Sequence, residues 1–304
     1  MAKPPTITGY STAQTLDCER ILITLLRGLG PWKESIFLVG GLTPRYLVPA
    51  KPPAVEPHAG TVDVDTVIEL QILTDTDGYH TLEENLRRMG FERATNDSGQ
   101  KVSWRWEKRT ERGEPVVLEL LADAPEIAGG KVRPLPTDGS ISALNIPHAS
   151  IVFDLHETTA VQAELLDGAG IATEKIKHAN LVSFTCLKAF AYDDRFERKD
   201  AHDLIYCIEW APDGPDRVAE MFNEALTGEH RKIIRNALEV LRDRFAGDKQ
   251  VEGYQKDGPV AVARFELGEG NDPDQREDRL RRQREASDII EQLLGRIDNQ
   301  AIRC

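Results

Sequence analysis

The sequence predicts an α+β protein, with an N-terminal half built on a mixed sheet with flanking helices and a C-terminal half that is mostly helical. Two observations carry this. Up to residue 123, short apolar stretches with strand character, such as "SIFLVGG" and "TVDVDTVIELQIL", are interleaved with helical patterns. From about residue 156 the helical patterns dominate, so the expected domains are 1–155 and 156–304.

The elements follow in order. "TAQTLDCERILITLLRGLG" at 12–30 carries Leu16, Ile21, Ile23, Leu25, Leu26 and Leu29 in a helical distribution, and Gly30-Pro31 stops it. A strand over "SIFLV" ends in Gly40-Gly41, a short helix is expected over 42–48, and the proline-laden 49–60 reads as a loop. In the strand 61–73, Val62, Val64, Thr66, Ile68, Leu70 and Ile72 point one way, while Asp63 and Asp65 share the other face. A helix over 78–91 turns Leu82, Leu86 and Met89 inward, and strands at 101–109 and 115–123 are joined by the turn-forming "TERGE". Helices are expected at 178–195, 199–211, 229–245 and near 273–297, with a loop or short hairpin in the glycine-rich stretch before the last.

A chain of 304 residues, 40% hydrophobic and 29% charged, has the balance of a soluble globular protein. It opens on no signal-like apolar run and contains no window near the roughly 20 apolar residues of a membrane span, so a cytoplasmic protein with no membrane partner is expected. Cys18, Cys186, Cys207 and Cys304 show no metal-knuckle spacing and read as reduced, structural thiols. A formal charge of −13 restricts any nucleic-acid contact to local basic stretches, such as 229–245 and 276–285.

The chemistry-bearing residues are few. A glycine pair between strand and helix exposes backbone amides that suit phosphate oxygens. Two aspartates on one strand face repel each other unless something positive lies between them. With Glu119 from the 115–123 strand, or Asp123 nearby, they make an oxygen-rich set suited to two Mg²⁺ ions and a nucleoside triphosphate. His58, His148, His156 and His202 show no ligand spacing and read as surface or packing residues; Trp104 and Trp106 read as core or interface. No G-x-S-x-G elbow is present, which removes a hydrolase reading.

Gly40-Gly41, then Asp63-Val64-Asp65, then Glu119 resembles the signature of the DNA polymerase β-like nucleotidyltransferases. "LKAFAYDDRFERKDAHDL" at 187–204 is similar to the K-to-R and D-x-x-D-L stretch of the AbiEii-like branch, the type IV toxin–antitoxin toxins that include the MenT toxins. The resemblance spans roughly 35–210 and departs from the family in its long proline-rich gap before Asp63 and in a glutamate as third acid. It implies a nucleotidyltransferase-fold N-terminal domain, Asp63, Asp65 and Glu119 on two Mg²⁺ ions, and Gly40 and Gly41 by the phosphates of an NTP. It puts Lys188 and Arg195 on the triphosphate side, with Asp200, Asp203 or both in the last acidic motif. The implied reaction moves an NMP to an acceptor hydroxyl, an RNA such as a tRNA 3′ end, in a toxin with a cognate antitoxin. Three alternatives stay open: a protein acceptor, a small-molecule acceptor of aminoglycoside type, and an inactive nucleotide-binding scaffold. Arg195 has a second reading too, as a salt bridge to Asp200 or Asp203 that fixes a helix corner.

Overall fold

Helix α1 (Thr12–Leu29) opens on Ser11, whose side-chain oxygen accepts from the Gln14 N–H at 3.1 Å, and closes at Gly30, where φ is +62°. Ile21, Ile23, Leu25, Leu26 and Leu29 are buried as the helical stripe requires, while Leu16 is exposed. The computed structural model describes residues 3–69, 82–96, 98–135, 141–270 and 272–297. The chain divides into two compact units, one of Ser11–Thr43 and Gly60–Ala179, the other of Ala2–Tyr10, Pro44–Ala59 and Asn180–Cys304.

After α1 come β1 (Ile36–Val39), a 3-10 turn at Gly40–Leu42, and α2 (Pro44–Leu47), the last belonging to the second unit. The first unit continues with β2 (Asp63–Ile68), α3 (Leu82–Arg88), β3 (Glu92–Thr95), β4 (Lys101–Arg109), β5 (Pro115–Ala122), β6 (Val132–Pro134), β7 (Ser142–Asn145), α4 (Ile151–Asp154), β8 (His156–Glu164) and β9 (Ile171–Ala179). These strands form one mixed sheet in the order β3-β4-β5-β2-β1-β9-β8. β7 pairs with β5 beyond the reach of β4, and β6 pairs with β7.

β2 is central, antiparallel to β1 and parallel to β5. The sequence predicts one buried face and one bearing the aspartates. Both faces are in fact covered: Val64, Thr66, Val67 and Ile68 are buried, and Asp63 is only 5% exposed. A strand between two neighbours with α1 packed across it has little solvent to offer a carboxylate. The expected strand residues 70–73 and helix residues 78–81 lie outside the described residues.

The hairpin β8–β9 is a correction, because its residues were expected to open the helical half. β9 alternates, with Ala172, Glu174, Ile176 and His178 facing inward and buried. Two of those four are polar, and this breaks the apolar period that marks a strand. Each finds a partner: Glu174 accepts from Lys33 at 2.8 Å and Arg27 at 3.2 Å, and His178 Nε2 lies 2.9 Å from the Thr159 hydroxyl.

The second unit carries α5 (Leu181–Arg195), α6 (Arg198–Glu209), α7 (Gly214–Ala225), α8 (Arg231–Phe245), α9 (Asp257–Leu267) and α10 (Pro273–Arg296). Asn180 caps α5 by accepting from the Ser183 N–H at 3.0 Å, and Phe196, left-handed at φ +53°, makes the corner into α6. α9 corrects a second expectation, since it lies in the glycine-rich stretch read as a loop or hairpin. Its glycine is a packing residue: a Cβ on Gly258 would lie 2.7 Å from the Arg244 carbonyl oxygen and the Phe245 ring. Helix α7 was not foreseen. Cys18, Cys186 and Cys207 are buried thiols, and no helix among the described residues is long and apolar enough to cross a membrane.

Candidate functional site

Strand register assembles the acidic group. Asp65 pairs with Val39 on β1 and with Glu119 on β5, and Glu119 pairs with Arg105 on β4. A single row across four strands therefore reads Val39, Asp65, Glu119, Arg105, with Asp63 one pleat away on the same face. Oxygens of Asp63, Asp65 and Glu119 all lie within 4.8 Å of one another. Asp63 is aimed by Thr61, whose hydroxyl donates to its Oδ1 at 2.8 Å. An all-oxygen donor set of three carboxylates fits a hard divalent cation such as Mg²⁺ better than a thiophilic metal.

Gly40 answers why this strand ends in glycine. Its φ is +71°, and a Cβ there would lie 1.9 Å from Asp65 Oδ2 and 2.7 Å from its Cγ. The missing side chain is the space Asp65 occupies. Gly41 is buried within the same turn, which the Thr43 N–H closes onto the Gly40 carbonyl at 3.2 Å.

The two candidates for the third acid have different partners. Asp123 accepts from the Ser150 N–H at 3.2 Å and from its hydroxyl at 2.5 Å, at the start of α4 and far from Asp123 in sequence. Glu119 stands in the acidic group, held by a residue the sequence reading missed. Arg105 donates from Nε to Glu119 Oε1 at 2.8 Å, with Nη2 2.6 Å from the same oxygen, and its guanidinium lies over Trp104 at 5.4 Å. The signal was available: counting back equally from the β4–β5 turn puts Arg105 opposite Glu119.

In the second unit, Lys188, Arg195, Asp200 and Asp203 hold one another across the α5–α6 corner. The Lys188 ammonium donates to Asp200 at 2.8 Å and Asp203 at 2.7 Å, Arg195 Nε donates to Asp200 at 2.7 Å, and Lys199, also missed, donates to both oxygens of Asp203 at 2.8 Å. Burial alone would push Lys188 down, but the charges of Asp200 and Asp203 outweigh it and hold the ammonium above its ordinary range. Burial dominates at Lys199, which has Asp203 alone against it and is lowered. Both aspartates resist the upward push of burial: Lys188 and Arg195 draw Asp200 down, and Lys188, Lys199 and His58 draw Asp203 well down. The helix-corner reading of Arg195 matches this geometry.

Of the histidines read as surface or packing residues, His58 and His202 are packing residues. His58, from the proline-rich loop, places Nε2 2.9 Å from Asp203 Oδ1, and its ring stacks 5.5 Å from that of His202. Ligand atoms of His58, His202 and Asp203 lie within 4.8 Å of one another, although no spacing in the sequence joins them. His202 Nδ1 is tied to Glu266 at 2.8 Å, and its Nε2 is buried with no hydrogen-bond partner among the described residues. Two ammonium groups already on Asp203 oppose a dication there, so this is a salt-bridged interior. Trp106 is fully buried, as expected, flanked by Arg87 and Arg93.

Compared with protein-family models and with curated proteins, the chain matches none.

Proposed function

We propose that this chain is a divalent-cation-dependent nucleotidyltransferase. The observation that carries the reading is the convergence of Asp63, Asp65 and Glu119 oxygens within 4.8 Å, beside a turn whose Gly40 makes room for Asp65. In the reaction an acceptor hydroxyl attacks the α-phosphorus of an NTP: the O–H bond breaks with its proton passing to Glu119 or a water held by it, a new O–P bond forms, and the bond to the leaving pyrophosphate breaks. Bound Mg²⁺ would supply charge neutralisation on the phosphates and a lowered pKa at the attacking hydroxyl. Asp63 and Asp65 would hold it, Thr61 keeping Asp63 in its rotamer, with Glu119 completing the set. The burial of Asp63 would limit water around its carboxylate and strengthen each interaction it makes. Placing Lys188, Arg195, Asp200 and Asp203 beside the triphosphate rests on the AbiEii-like resemblance, as do the RNA acceptor, the antitoxin and the toxin role.

One observation favours a non-RNA acceptor as the second reading. Basic residues of the two candidate RNA-binding stretches are held by acids: Arg244 by Asp193 and Asp257, Arg282 by Glu209 and Glu266. Together with the charge of −13, this leaves less basic surface for a polyanion.

The test is label transfer. Purified protein is incubated with Mg²⁺, each α-labelled NTP in turn and total RNA, beside the Asp63→Ala form. A labelled tRNA-sized band absent from the variant supports the RNA reading and names the nucleotide. No RNA band, but labelled protein or small-molecule product, supports the second reading. A variant with full transfer activity would sink the acidic-site assignment.

A further inference from the structure

The row of strand-paired side chains does not end with the acids. Arg105 closes it, and two of its nitrogens engage a single oxygen, Glu119 Oε1. Among the described residues Glu119 Oε2 makes no side-chain hydrogen bond, and Arg105 Nη1 makes none either. Both side chains are partly accessible, 20% for Arg105 and 13% for Glu119. Asp63 and Asp65, from β2, offer their oxygens from the far side of Glu119.

A guanidinium and a divalent cation compete for the same carboxylate. An arginine fork on one oxygen removes that lone-pair region from coordination, and its fixed positive charge raises the energy of any further cation a few ångströms away. A phosphate oxygen is an equally good partner for the same fork. We infer that Arg105 divides the acidic group into a standing cation position at Asp63 and Asp65 and a conditional one at Glu119, which fills only when a phosphate ligand draws the guanidinium away. Arg105 is thus a positioning residue that couples occupancy of the second cation position to arrival of a nucleoside triphosphate. This rests on the proposed nucleotidyltransferase reading and adds the order in which its components assemble.

The experiment counts bound ions, independently of turnover. Mn²⁺ is titrated into the full-length protein and free Mn²⁺ is read by electron paramagnetic resonance, with and without α,β-methylene NTP analogues, which cannot transfer. Wild type is expected to bind one Mn²⁺ alone and two with analogue. Arg105→Gln is expected to bind two without analogue, the second at least about tenfold more tightly than in wild type, the size of a nearby unit charge in a partly exposed site. Arg105→Lys, which keeps the charge, should behave as wild type, and Glu119→Gln should bind one ion in every condition. Thermal melts confirm that each variant is folded. One ion in Arg105→Gln without analogue, or two in wild type without it, overturns the coupling while leaving the enzyme reading intact. Mn²⁺ binding that is absent, or indifferent to Asp63→Asn, counts against the acidic site itself and so against the function proposed for it.

Discussion

Two groups of acids in this chain are built on opposite principles. In the sheet unit, Asp63, Asp65 and Glu119 are packed against one another, their oxygens within 4.8 Å. In the helical unit, Asp200 and Asp203 are interleaved with Lys188, Lys199 and Arg195, each carboxylate oxygen meeting a cationic nitrogen. Carboxylates crowded on one another gain from a further cation; carboxylates dovetailed with cationic side chains have each oxygen matched. The same residue type therefore points to ligand binding in one place and to architecture in the other.

The sharpest way to break this comparison is to neutralise each kind of acid in turn. Asp63→Asn or Asp65→Asn should lower label transfer by ~10³-fold or more while the urea midpoint stays the same or rises, since a repulsion is relieved. Asp203→Asn should do the reverse at the level of folding, because two buried ammonium groups lose their shared partner; a loss of about 3–5 kcal/mol in urea unfolding is expected. A cost under about 1 kcal/mol would show that the helical cluster is not the ionic core described.

The second effect is pH-dependent. Burial holds His58 at about 4, Asp203 offsetting only part of the shift. Between that value and the ordinary ~6.5 the unfolded chain binds a proton that the folded chain does not, so stability is complete above ~6.5 and is lost as pH falls towards 4, by roughly 3 kcal/mol in all. His178, also lowered by burial, adds slope of the same sign, so the reading is the difference between wild type and His58→Gln in denaturation series from pH 7.5 to 4.5. Identical slopes would remove His58 from the account.

The smallest effect separates neighbours in sequence. Asp123→Asn should cost about 1 kcal/mol through its contacts to Ser150 and leave transfer unchanged. A large activity loss with intact folding would restore Asp123 as third acid.

The acidic group was largely legible because each of its parts shows within its own segment. A glycine pair ends a strand and two aspartates share a face, while the choice between Glu119 and Asp123 stayed open until the strand register was seen. What stayed hidden depends on partners distant in sequence. Glu174 looks wrong for the inner face of a strand until Arg27 and Lys33 are seen against it. His58 looks like a loop histidine until Asp203 arrives beside it. Helix α9 was concealed by Gly258, a residue that argues against a helix by propensity and for it by the closeness of Phe245.

The fit between Gly40 and Asp65 gives the site a direction in which it can decay. Position 65 can lose its carboxylate while glycine stays, but position 40 cannot gain a side chain while Asp65 fills that space. A lineage that lost Asp65 first could then accept a residue at 40 able to bear a left-handed backbone, such as asparagine. After that second step, restoring Asp65 by a single change would fail, because its place would be taken. The turn therefore acts as a ratchet, and a descendant that had taken both steps could recover Asp65 only by reversing them in order.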